Sequence, residues 1–214
     1  MNVLIFIWLH GIIKQSIEEK NRRIAVEYVL SLLIGISLSA TSGFRIFVPL
    51  LVISIASLAG WIELTPAFAW VGTYPALVAL GVAAVLELIG YYIPFVDNLL
   101  SSFAVPVSLI AGTLITAAVL VDFPPVLAWA LAIITGGGAA LGSSMVSNTV
   151  HTGSTVSTAG TVNPVISFFE SLFSLLMSFL AVLLPVIAFL VFAFMLLIIY
   201  KLFSKRRLPE RENA

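Results

Sequence analysis

Between Ile24 and Tyr200 the chain carries a single basic side chain, Arg45. The other nine of its ten Lys and Arg residues flank that block, from Lys14 to Arg23 before it and from Lys201 to Arg211 after it. A soluble domain cannot be built this way, because about a quarter of its residues are charged. Here the charged share is 9% and the hydrophobic share 61%, with a mean hydropathy of +1.17. The pattern is that of a multi-span integral membrane protein, and its first partner is the lipid bilayer. Basic clusters at both ends predict that both termini are cytoplasmic, which requires an even number of crossings.

The length suits one transmembrane domain over 24–203. An interfacial or flexible segment, 1–23, precedes it, and a cytoplasmic basic tail, 204–214, follows. The stretch Met1–Ile13 is apolar but too short to span. It has neither a basic leader nor a small-residue cleavage site, so it does not read as a cleaved signal. A net charge of zero gives no reason to expect nucleic acid as a partner. The absence of cysteine excludes disulfides, thiolate metal sites and a cysteine nucleophile.

Five apolar runs follow one another: Ile24–Leu58, Ala76–Ile93, Leu99–Val121, Val126–Val146 and Pro164–Phe203. The first and last are too long for single straight spans. At 1.5 Å per residue they would measure about 52 Å and about 60 Å, against a hydrocarbon core of about 30 Å. The sequence therefore predicts an all-α polytopic protein of about six transmembrane segments with broken or re-entrant helices. Dividing six spans at "DFPP" gives halves 24–121 and 126–203. Each half would have three spans, as in a 3+3 inverted repeat. Each half also opens with a Ser/Thr/Gly-rich stretch and continues into a helix with a glutamate and a later proline. In this arrangement Glu63 and Asp122 fall on the outside.

Several polar residues inside the block are candidates for a solute or ion pathway. Arg45 lies in "LSATSGFRIFVPLL", in the interior of the first run and well away from both of its ends. A charge at bilayer mid-depth costs about 2.5–3.5 kcal/mol, so it requires a partner or water. Glu87, Asp97 and Glu170 are the available carboxylates, and Thr41 and Ser42 complete the polar cluster around Arg45. Pro94 breaks the helix after Glu87 and frees carbonyls beside a carboxylate, an arrangement that binds a cation or carries a proton. Glu87, Tyr91 and Asn98 are expected near one face. In "GTVNPVISFFES", Asn163 is expected as the N-cap of a helix that holds Glu170 two turns in. His151 heads a Ser/Thr-rich stretch. Gly138 and Gly142, four apart, predict a close-packing helix face. No HExxH, GxSxG or P-loop pattern is present, so no enzyme, cofactor or metal site is expected.

Three segments in order, "SGFRIFVPLL", "ELIGYYIPFVDNLLSSFAVPVSLIAG" and "STVSTAGTVNPVISFFESLFSLLMSFLAVLLP", resemble an uncharacterised bacterial membrane family, domain of unknown function 4126. The resemblance covers about Val29 to Leu196. It implies a membrane protein with weight on the polar segments, and the location expected for the chain is the bacterial inner membrane. It supplies no activity. Members of that family carry an acidic-plus-basic signature where this chain has Tyr91 and Tyr92. They also carry a lysine and an arginine where it has "NTVHTGSTVST".

Two functions remain open. One is a small transporter or channel for an ion or small solute, with its site at mid-depth. The other is a non-transporting membrane scaffold whose buried polar pairs specify packing. Homo-oligomerisation is expected of so small a transporter.

Overall fold

A computed structural model of the chain describes residues 2–158 and 160–205. Eight α-helices appear among the described residues, and no strand. They are α1 (Asn2–Ser42), α2 (Phe47–Leu58), α3 (Tyr74–Tyr92), α4 (Pro94–Val119), α5 (Pro125–Leu131), α6 (Gly138–Thr158), α7 (Asn163–Leu183) and α8 (Pro185–Lys205). A 3-10 helix, Pro66–Gly72, precedes α3, and a π-helical turn, Ala132–Gly137, joins α5 to α6. Five stretches are long and apolar enough to cross a membrane: Ile17–Ser42, Tyr74–Tyr92, Phe95–Val119, Pro125–Thr158 and Asn163–Leu183. Two apolar pieces, Phe47–Leu58 and Pro185–Ile198, are shorter. Helix α1 runs unbroken from Asn2 through Ile24, so no helix end separates the N-terminal segment from the first apolar run. Most of the basic tail, 206–214, lies outside the described residues.

The two over-long runs are broken, each for a local reason. The first breaks over 43–46. There the amides of Gly43 and Phe44 turn back onto the carbonyls of Ala40 and Thr41. Glycine is required at this point: a Cβ on Gly43 would lie 2.5 Å from both the carbonyl oxygen of Ala140 and the Cβ of Ser143. The last run breaks at Leu184, held at φ −139° and ψ 68°. The following Pro185 ring disfavours the helical conformation in the residue before it. The π turn falls where α4 comes closest. A Cβ on Gly136 would lie 2.6 Å from the Gly112 carbonyl oxygen, and one on Gly112 would lie 2.7 Å from that of Gly136. Gly43, Gly112 and Gly136 are thus among the close-packing glycines. Gly138 and Gly142, expected in that role, face open space.

Side-chain and backbone contacts fix the direction of each element. The Tyr28 hydroxyl of α1 donates to the Asp122 carbonyl just beyond the C-terminal end of α4. Farther along α1, Ser39 Oγ donates to the Gly112 carbonyl and contacts Thr116, well inside α4. Helix α1 therefore ends partway along α4. After the break, the chain returns through α2, and Thr65 N donates to the Ala118 carbonyl, again at the C-terminal end of α4. So α1 and α2 form a helical hairpin. Its tip, residues 43–46, is buried in the bundle, and both legs leave toward the same end. Helices α3, α4, the α5–α6 rod and α7 then run alternately up and down, while α8 packs along α1.

This geometry corrects two expectations. Asp122 and the linker around Glu63 lie at the Tyr28 end, about one and a half turns of α1 from Arg22 and Arg23, and not across the bundle from them. The half before "DFPP" therefore returns to the side it started from. An inverted 3+3 repeat needs an odd number of crossings per half, and so it does not describe this chain.

The apolar core fills the Tyr28 half, where Leu38, Val52, Ile53, Ile115, Ala181 and Ala188 pack together. The other half, between the hairpin tip and the N-terminal ends of α4 and α7, is polar.

Candidate functional site

Helix α2 begins inside the bundle, so its first amides have no water to bind. Glu87 of α3 meets that need. Its Oε1 accepts from Ile46 N at 2.7 Å and its Oε2 from Phe47 N at 3.0 Å. A carboxylate at a helix N-terminus is favoured by both the free donors and the helix dipole. Pro49 suits the first turn of the same helix, because its missing N–H belongs to a group of donors that is unbonded there in any case. Glu87 thus anchors the hairpin tip to α3.

Arg45 projects from the tip into α7 and is 1% exposed. Its Nε donates to Ser171 Oγ at 2.8 Å, its Nη1 to the Phe44 carbonyl at 2.7 Å and its Nη2 to the Ser167 carbonyl at 2.9 Å. Nη1 also lies 3.2 Å from Glu170 Oε2. The guanidinium stacks over the Tyr91 ring, 3.9 Å from its centroid. Of the three candidate carboxylates, Glu170 is the one that pairs with Arg45.

From Glu170 the chain of polar groups continues toward the N-terminal ends of α4 and α7. Ser147 Oγ donates to Glu170 Oε1 at 2.6 Å, and His151 Nε2 lies 3.0 Å from Glu170 Oε2. The other ring nitrogen of His151, Nδ1, lies 3.2 Å from Asp97 Oδ1. That approach is close enough for an ion pair but off the hydrogen-bond axis, which leaves Nδ1 without an aligned partner. Asp97 Oδ2 accepts from Asn163 Nδ2 at 2.7 Å, and the same amide donates to Thr155. The result is a buried relay, Asn163–Asp97–His151–Glu170–Arg45, contributed by α4, α6, α7 and the hairpin tip.

Three carboxylates, Glu87, Asp97 and Glu170, face one guanidinium and one imidazole. Even with His151 protonated, the group holds one more negative than positive charge. An uncompensated buried charge is costly, so this group favours one further proton or cation. The imidazole has a carboxylate beside each nitrogen, which lets it take a proton at one and release it at the other. Among the described residues no three His, Cys, Asp or Glu side chains converge as a metal site would require.

Of the expected pathway residues, Arg45, Asp97, His151, Asn163 and Glu170 come together in the relay, and Glu87 joins it through the hairpin tip. Thr41 and Ser42 do not. Thr41 Oγ1 bonds the Leu38 carbonyl and Ser178, and Ser42 Oγ bonds the Ser39 carbonyl, so both belong to helix packing. Asn163 is the first residue of α7 and not its cap. Its amide faces Asp97 instead of the amides of its own helix. Asn98 is exposed, away from Glu87 and Tyr91. Sequence reasoning missed Ser147, Ser167 and Ser171. A signal for the α7 pair existed: Ser167, Ser171, Ser174 and Ser178 recur at spacings of four, three and four, one face of a helix.

A multi-pass helical membrane protein with a buried network of charged and hydrogen-bonded side chains at the tip of a helical hairpin is the class that fold and site define. Within that class the chain matches the family described as a domain of unknown function (DUF4126) over residues 32–205, and it belongs to that family. Neither the curated proteins nor the solved structures contain a match.

Proposed function

We propose that the protein is a small bacterial inner-membrane transporter or channel for an ion or small solute, in which the Asp97–His151–Glu170 relay moves a proton. The observation that carries this reading is His151, placed between two carboxylates with one at each ring nitrogen. Chains of Asp, Glu and His inside membrane segments are the usual means of passing protons. The hairpin supports the reading too, because a helix broken inside the bundle, with its first amides held by the Glu87 carboxylate, is the kind of discontinuous element that builds substrate and ion sites in transporters. Both termini are cytoplasmic on this reading, with Lys20, Arg22 and Arg23 of α1 beside the Tyr28 end. The outer face of α8, with Leu190, Phe194 and Leu197 exposed, meets lipid or a second copy of the chain.

One observation favours the scaffold instead. Every nitrogen of Arg45 already has a partner, as a purely structural ion pair would. Purified protein in proteoliposomes separates the two readings. Under an imposed pH gradient, a transporter takes up at least one member of a panel of inorganic ions, amino acids, organic cations and organic anions faster than protein-free vesicles do. Uptake of every member at the protein-free rate would leave the scaffold.

A further inference from the structure

Helix α3 is separated from α4 by an apolar cleft of about 450 Å³. Its walls include Leu86, Val96, Leu100, Phe103 and Ala104, and Leu86 and Phe103 are exposed on the outer face of the bundle. At its inner end are Glu87 and the two residues whose amides Glu87 holds, Ile46 and Phe47. The cleft thus leads sideways from the lipid-facing surface to a carboxylate. A second cleft, of about 300 Å³ between α2, α3 and α7, reaches Arg45. There the guanidinium is already committed to Glu170 and to backbone carbonyls.

Charge decides what the larger cleft accepts. Among the described residues the ion pairs are Arg45–Glu170, His151–Asp97 and His151–Glu170, so Glu87 has no cationic side chain within ion-pair distance. Glu87 is also the carboxylate that remains in excess when Arg45 and His151 are counted against Asp97 and Glu170. A ligand that enters through apolar walls and ends at an unpaired carboxylate needs apolar bulk and one positive charge. The volume suits a molecule of drug size. An inorganic cation lacks the bulk to gain from the walls. An anionic amphiphile meets like charge in a low-dielectric site, where repulsion is strongest.

We infer that the α3–α4 cleft is a binding site for a lipophilic organic monocation, reached from the bilayer, with Glu87 as its counter-ion. This deepens the transport reading by naming the substrate class. Binding is measured without transport, so the two ideas fail separately: saturable binding with no uptake overturns transport alone, and uptake of some other solute without cation binding overturns the cleft assignment alone.

The test uses the full chain purified in detergent and a pair of probes of matched shape and opposite charge, tetraphenylphosphonium and tetraphenylborate. Equilibrium binding of tetraphenylphosphonium is expected to saturate at one per chain, with no saturable binding of tetraphenylborate. Glu87→Gln should weaken the cation roughly thirtyfold or more, the scale of loss when one partner of a desolvated charge pair is removed. Because Glu87 also caps α2, that variant can fail to fold. Ala104→Phe, which fills the cleft from α4 and leaves Glu87 in place, should weaken binding in a folded protein. Equal binding of both probes, absence of saturable cation binding, or cation binding unchanged in Ala104→Phe would each overturn the assignment.

Discussion

The guanidinium of Arg45 lies over the ring of Tyr91, its central carbon 3.9 Å from the ring centroid, and pairs with Glu170. The aromatic face closes the α3 side of a buried cation that is otherwise met by Ser167, Glu170 and Ser171 of α7 and by the Phe44 carbonyl of the tip. A cation–π contact out of water contributes about 2 kcal/mol. Tyr91→Leu should therefore lower the unfolding free energy in detergent by about that amount, while Tyr91→Phe, which keeps the ring, should lose much less. Equal losses in the two variants would show that the ring face is not what holds Arg45.

The Arg45–Glu170 pair yields a sharper stability prediction. Removing one partner of a buried ion pair strands the other and costs about 3–5 kcal/mol. Arg45→Ala and Glu170→Ala should each show losses on that scale, and the double variant should lose clearly less than their sum. The same cycle between Arg45 and Glu87 should show weaker coupling, because Glu87 bonds to the backbone amides of Ile46 and Phe47. Thermal unfolding of the detergent-solubilised variants measures both cycles.

The hairpin makes a topological prediction that a simple count of spans does not. Cysteines introduced at Lys20, Glu63 and Asp122 should all label from one side of the membrane. Cysteines at Asn98 and Thr161, at the opposite end of α4 and α7, should label from the other. Labelling of Glu63 from the side opposite Lys20 would mean that α1 and α2 continue across the membrane instead of folding back.

Close packing at the hairpin tip is equally exposed to test. Gly43→Leu must push the tip away from Ala140 and Ser143, where even a Cβ would lie within 2.5 Å. Overpacking of this kind costs about 1–3 kcal/mol. Gly138→Leu, in open space, should cost little in either expression or thermal stability. A reversed order would show that α1 does not approach α6 at Gly43.

The break in the first run was legible in the sequence, because 24–58 is too long for one span and contains glycine and arginine at its centre. The direction of the chain after the break was not. A straight crossing and a hairpin have the same hydropathy, and the difference lies in long-range contacts such as Tyr28 with Asp122 and Thr65 with Ala118. The charged members of the relay were legible one by one, since each is costly inside a membrane and needs a reason to be there. Their pairing was not: Arg45 had three possible carboxylates, and only the packing of α7 against the tip selects Glu170. The glycine expectation failed for a related reason. The spacing of Gly138 and Gly142 marks one face of a helix, but the π turn just before them shifts the register, so that Gly136 meets α4 instead.

The most direct test of the account is the proton signal of a single variant. His151→Gln keeps a donor for Glu170 but cannot pass a proton between two carboxylates. Wild-type protein and His151→Gln are reconstituted into vesicles loaded with a pH-sensitive dye and challenged with each solute of the panel. The account predicts that at least one solute moves protons through the wild-type protein, and that His151→Gln, folded and inserted to the same extent, moves none above protein-free vesicles. Proton movement through His151→Gln at the wild-type rate, or none through either protein, would contradict it.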